Sequence, residues 1–168
     1  MKMLWVIAVV PISLICSTAD ARRPLAMRMN NPCAITYRHT NAPKDYVTRA
    51  VRLAKESGFR ATPGDKDLYG NVVAEFRRWS SGVEVCRLFL LDMYPEYEIE
   101  DMIRVWSGGH SHRDYTAYVT RRARVHPRWV VKLVWKSTLR RIIQAMSEWE
   151  AGCTQGGEIE TASLKPPC

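Results

Sequence analysis

The amino-acid sequence reads as short amphipathic stretches cut apart by proline and glycine, and this punctuation limits the chain to short helices around one core. The pattern starts only after an apolar N-terminal segment. There Lys2 precedes an apolar run from Leu4 to Cys16 and the small-residue triplet Ala19-Asp20-Ala21, the order of a signal peptide cleaved after Ala21. A bilayer-spanning helix needs roughly 20 apolar residues; this run is shorter and is interrupted by Pro11. Lipidation at Cys16 would call for small residues before it, and Leu14-Ile15 stand there instead. No later segment reads as a membrane anchor. The expected organisation is a signal peptide over 1–21, one helical domain over 22–152 and a polar tail over 153–168, in an exported protein, periplasmic or secreted.

Export makes the cysteines informative. Cys16 leaves with the signal peptide, and Cys33, Cys86, Cys153 and Cys168 remain as an even set in an oxidising compartment, enough for two disulfides in any of three pairings. A zinc site would need close ligand pairs, but there is no C-x-x-C and the histidines are scattered, so neither a metal nor another cofactor is expected. The formal charge is +8. Lys2 and Asp20 cancel within the signal peptide, so the remainder keeps that excess and suits an anionic partner. Nucleic acid would match the charge but not the export.

The expected fold is mainly helical, an α+β domain with one small hairpin. Residues 44–57 place Val47, Ala50, Val51 and Ala54 on one helix face, with Gly58 at the C-terminal stop. Between Asp65 and Trp79, the Tyr69-Gly70-Asn71 turn followed by Val72-Val73-Ala74 and Phe76 predicts a hairpin. Ser81-Gly82-Val83-Glu84 has the order of a capping box opening a buried helix that Pro95 closes. Residues 98–106 set Ile99, Met102, Ile103 and Trp106 on one face before Gly108-Gly109. Asp114 is placed to cap the next helix, bearing Tyr115, Tyr118 and Val119. The last helix is expected from Pro127, with Val131, Trp135, Leu139, Ile142, Met146 and Trp149 at three-to-four spacing and Gly152 at its end.

Several of these blocks resemble a family of phage and prophage proteins described as virion structural or peptidoglycan-acting. Arg28-Met29-Asn30-Asn31-Pro32-Cys33-Ala34-Ile35 is similar to that family's R-N-N-N-P-G-N-I opening, with Cys33-Ala34 standing where the family has Gly-Asn. Ala74-Glu75-Phe76, Gly82-Val83, Ile99 to Trp106 and Asp114 to Val119 follow in the family's order and spacing. The connection from about Thr40 to Gly64 is longer than the family's. The resemblance, spanning roughly Arg28 to Val125, implies a compact lysozyme-like domain associated with peptidoglycan, acting as a lytic transglycosylase or muramidase, or as a non-catalytic binding or virion component.

Glycan cleavage needs a carboxylic acid whose pKa is raised by an apolar pocket. Glu56, in a Glu-Ser pair ending a helix ahead of the hairpin, is the leading candidate by similarity to lysozyme-like transglycosylases; pairing with Arg52 four residues earlier is the structural alternative. Glu75 beside Phe76 is the reserve, and Glu84 has a sufficient task in its capping box. His110-Ser111-His112 invites a metal but follows two glycines in a loop. Arg128, Lys132, Lys136 and Arg140 recur every four residues, predicting a cationic stripe on the last helix that would hold an anionic polymer or membrane surface, or merely solvate that face. A secreted cationic, membrane-active effector is the reading that rests on this stripe alone.

Overall fold

A computed structural model of the chain describes residues 24–109 and 112–151, so the expected signal peptide, His110-Ser111, Gly152, Cys153, Cys168 and the tail lie outside the described residues. Six helices, a three-stranded antiparallel sheet and a 3-10 turn make a mixed α+β fold. In chain order these are α1 (Leu25–Arg28), β1 (Thr36–Arg38), α2 (Arg49–Glu56), β2 (Ala61–Lys66), β3 (Val72–Phe76), α3 (Trp79–Met93), α4 (Ile99–Trp106), α5 (His112–Ala123), the 3-10 turn Val131–Leu133 and α6 (Lys136–Glu150).

The hairpin forms where the sequence places it, and Asp67 is the reason it turns there. Its Oδ1 accepts from the backbone N–H groups of Tyr69 (2.9 Å) and Asn71 (2.8 Å), and the Asn71 amide donates to Oδ2 at 3.0 Å. Gly70 supplies the left-handed φ of 80° that the turn requires. The third strand, β1, has no signal in the local sequence. It pairs antiparallel with β3, giving the order β1-β3-β2 with β3 in the centre.

The core lies where α3, α4, α5 and α6 converge, with Val83, Leu90, Ile103, Val119, Ile142 and Met146 among its fully buried side chains. Each such burial stabilises by about 1.5–3 kcal/mol. Helix α4 follows the sequence closely: Ile99, Met102 and Ile103 face inward, and the Gly109 N–H bonds back to the Arg104 carbonyl at 2.9 Å to end it.

Four boundaries differ from expectation. Helix α2 begins at Arg49 because the preceding Thr48 is tied to β1, its hydroxyl donating to the Thr36 carbonyl at 2.5 Å and its N–H to that of Tyr37 at 3.1 Å. Helix α3 starts at Trp79, so Ser81 and Glu84 form no capping box; Glu84 turns instead to Arg87 and Arg140. Asp114 lies inside the first turn of α5 and does not precede it. Helix α6 begins at Lys136, not Pro127. Residues 127–134 bond to the start of α4 and the chain ahead of it: Glu100 N–H to Pro127, Ile99 N–H to Trp129, Val131 N–H to Tyr97 and Lys132 N–H to Pro95, all at 2.9–3.0 Å. These tertiary bonds take the place of an extra helical turn.

Candidate functional site

The Asn-Pro loop between α1 and β1 is organised by one buried side chain. Asn31 Oδ1 accepts from the Ile35 N–H at 2.9 Å, while its Nδ2 donates to the carbonyls of Ile35 (2.9 Å) and Ala74 (2.8 Å). Ala74 N–H already donates to the Ile35 carbonyl at 2.8 Å. Ile35 and Ala74 would therefore make a reciprocal ladder pair, and the Asn31 amide is spliced into its second rung. All three amide hydrogen-bonding groups are used in a fully buried position. Asn30 extends the anchor by donating to the Phe76 carbonyl at 3.0 Å, and Gly82 of α3 lies so close that a Cβ there would collide with the Asn30 carbonyl and the Pro32 ring. The sequence blocks around Arg28–Ile35, Ala74–Phe76 and Gly82 thus converge in space. A disulfide from Cys33 to Cys86 fastens the same loop to α3.

What this lock positions is a cleft of about 660 Å³ between the loop and β1 on one side and the C-terminal ends of α3 and α4 on the other. Tyr46, Phe89, Tyr94 and Trp106 give it aromatic walls, and Thr36, His39, Thr48 and Arg49 supply polar groups. Phe89 and Trp106 meet edge to face with centroids 6.4 Å apart. Trp106 is held from behind, its Nε1–H donating to Glu150 of α6 at 2.8 Å, and Tyr115 donates to the same carboxylate oxygen at 2.9 Å. Burial, with Glu150 beside it, pushes the Tyr115 phenol well above its usual range, so it remains a donor.

No carboxylate lines the cleft among the described residues. At its margin Arg49 grips Asp92 with Nε and Nη2, at 2.6 and 2.7 Å. Those bonds hold the Asp92 carboxyl below its ordinary range, against a smaller opposing effect of burial, so it is ionised and has no proton to donate at neutral pH. Glu56 ends α2 exposed, its charge acting on Arg49, and Glu75 faces outward from β3 opposite Thr62. Neither belongs to the cleft wall. Glu84 is half-buried under Arg87, Arg140 and Lys136; burial would raise its pKa, but the hydrogen bonds from Arg87 and Arg140 outweigh it and hold the group below the usual range.

The four cations expected in one helical stripe are divided by the late start of α6. Arg128 lies in the loop before it and Lys132 in the 3-10 turn, bonded to Glu96 at 2.7 Å, while Lys136 and Arg140 lie on the helix and both face Glu84. Arg122 and Tyr118 of α5 meet the buried Glu148 at 2.7 and 3.0 Å, which fastens α5 to α6. Among the described residues no three of His, Cys, Asp and Glu gather where they could hold a metal ion, and no helix is long and apolar enough to cross a membrane. Neither a known protein family nor a curated protein matches the chain.

The cleft has no signature in the sequence because its walls come from residues far apart, Thr36 and Arg49 on one side and Phe89 and Trp106 on the other. The helical spacing assigns Trp106 to the core face, but it packs against the core and also walls the cleft. The only local hint was the density of aromatics at the ends of α3 and α4.

Proposed function

We propose that the chain is an exported, cell-wall-associated domain that binds glycan strands of peptidoglycan in the aromatic cleft without cleaving them. The observation that carries this reading is the pairing of aromatic walls with a marginal carboxylate locked as an anion by Arg49. A sugar ring offers apolar C–H faces and a rim of hydroxyls. Tyr46, Tyr94 and Trp106 suit the faces, and Thr36, Thr48, His39 and Arg49 suit the rim, the usual composition of a specific pocket. The excess of positive charge favours an anionic polymer such as a wall bearing peptide carboxylates. The resemblance to phage proteins acting on peptidoglycan and the signal-peptide order of the first residues point to the same compartment, and a lysozyme-like fold is part of the same proposal.

Co-sedimentation with purified sacculi tests the reading. Trp106→Ala should weaken binding by about tenfold, the loss of one aromatic contact, and Glu56→Gln should leave it unchanged. Release of soluble muropeptides by the wild type, reduced about 10²–10⁴-fold in Glu56→Gln as expected of a general acid, would replace binding with catalysis.

A further inference from the structure

Outside the cleft, the segment leading into α6 exposes apolar side chains that the fold does not use. Trp129 is 50% exposed, Leu133 70% and Trp135 81%. With Val130, Val134 and Thr138 they rim a shallow groove of about 610 Å³, bordered by Arg128. Trp135 occupies the N-cap of α6, a position that favours Ser, Thr, Asp or Asn, and makes no side-chain capping bond. Its indole therefore serves neither the core nor the helix end. The backbone beneath is fixed by the bonds from Ile99 and Val131 already described, which make the antiparallel bridge between Glu98 and Val130, and by the bond from Lys132, so the rings are presented from a pinned backbone.

The charges beside them are cationic. Arg128 borders the groove, and Lys132 and Lys136 flank Leu133 and Trp135 in sequence. Lys132 pairs with Glu96, which is itself 68% exposed, and Lys136 reaches Glu84 only at 3.6 Å. Exposed pairs of this kind are weak and exchange readily for another anion. Indoles and a leucine surrounded by lysine and arginine match the boundary of an anionic bilayer, where rings settle at headgroup depth, the leucine enters the acyl region and cations meet phosphates.

We infer that the Arg128–Lys136 segment is a peripheral docking surface for anionic lipid membranes, independent of what occupies the cleft. The juxtaposition of two exposed tryptophans and a leucine with three cations on a backbone-pinned loop carries it. Each buried apolar side chain should strengthen partitioning by roughly tenfold and each cation by about fivefold at an anionic surface.

The test is co-sedimentation of the purified exported protein, after loss of residues 1–21, with vesicles of phosphatidylcholine, with and without phosphatidylglycerol, alongside indole quenching by acyl-brominated lipid. The wild type should bind the phosphatidylglycerol vesicles more tightly. The triple variant Trp129→Ser, Leu133→Ser, Trp135→Ser should lose at least about a hundredfold. Trp135→Ser alone should lose about tenfold and much of the quenching, and because serine is a favoured N-cap the helix keeps its start. Replacing Arg128, Lys132 and Lys136 with Gln should abolish only the preference for phosphatidylglycerol. Sedimentation of the triple variant equal to wild type would overturn the inference. So would concentration-dependent self-association that the triple variant abolishes in a wild type without vesicle affinity, since the occupant would then be a second copy of the chain.

Discussion

Replacing Asn31 with Asp exchanges one heavy atom, Nδ2 for an oxygen, and reverses the logic of the loop. The amide donates twice, to the carbonyls of Ile35 and Ala74, and accepts once, from the Ile35 N–H. A carboxylate keeps the acceptor but sets an anionic oxygen against two carbonyl oxygens in a fully buried site. Two lost bonds, with the Ala74 carbonyl left unsatisfied, amount to about 2–4 kcal/mol. Burial of an uncompensated charge raises this further until the group takes up a proton. A protonated carboxyl restores one donor, so the introduced group would have a pKa raised above its unfolded value. Its deficit is then smallest at low pH and grows as pH rises through the folded pKa. Asn31→Ala, which leaves the Ile35 N–H and the Ala74 carbonyl without partners, should lose about 2–6 kcal/mol with no such pH dependence. Urea unfolding of both variants and the wild type at pH 7 and near pH 5 separates these outcomes. An Asn31→Asp protein as stable as wild type at pH 7, or one whose deficit does not shrink on acidification, would refute the role given to the amide.

Replacing Cys33 and Cys86 together by Ala should destabilise by about 4 kcal/mol, the loop-entropy value for the closed separation of 53 residues, read as a lower urea midpoint. Ala34 holds a left-handed φ of 45° while exposed, so Ala34→Gly should raise the thermal midpoint, stabilising by about 0.5–1 kcal/mol; a lower midpoint would mean that its methyl group has a contact to lose. Asp67, Glu84 and Asp92 all have depressed folded pKa values. Their contribution is complete above the unfolded carboxylate pKa of about 4 and is lost as pH falls through the folded values, so stability in acid titrations should decline below about pH 4.

What could be read from the sequence was local. The hairpin followed from Tyr69-Gly70-Asn71 and the alternating strand after it, and α4 from four apolar residues between an acidic turn and two glycines. Most of the failures involve a distant partner. Pro127, Val131 and Trp135 satisfy helical spacing, yet the carbonyls of Pro95 and Tyr97 claim the N–H groups of that segment, and Val130 and Val134 are extended. Ser81 and Glu84 have capping-box spacing, but Arg140 is 56 positions away and takes the carboxylate. Strand β1 is only three residues long and exists because β3 passes beside it, which no local pattern announces. The Arg49–Asp92 bridge that defines the cleft margin is of the same kind. Asn31 stands in a motif visible at once in the sequence, but that its amide replaces a rung of backbone hydrogen bonding is legible only in three dimensions.

The sheet's two borders also bear on how the molecule behaves in a crowd. A free strand edge is a template on which a second chain can lay its own backbone. Here β2, one border, carries Pro63, which has no N–H to offer, and a shift of register between Pro63 and Lys66. The other border, β1, stops after three residues, is irregular between Thr36 and Arg38, and is cut short at Ile35 where the Asn31 amide enters. Neither border presents an unbroken row of backbone groups to a neighbour, so strand-by-strand accretion has no point of departure at either edge, even at high protein concentration.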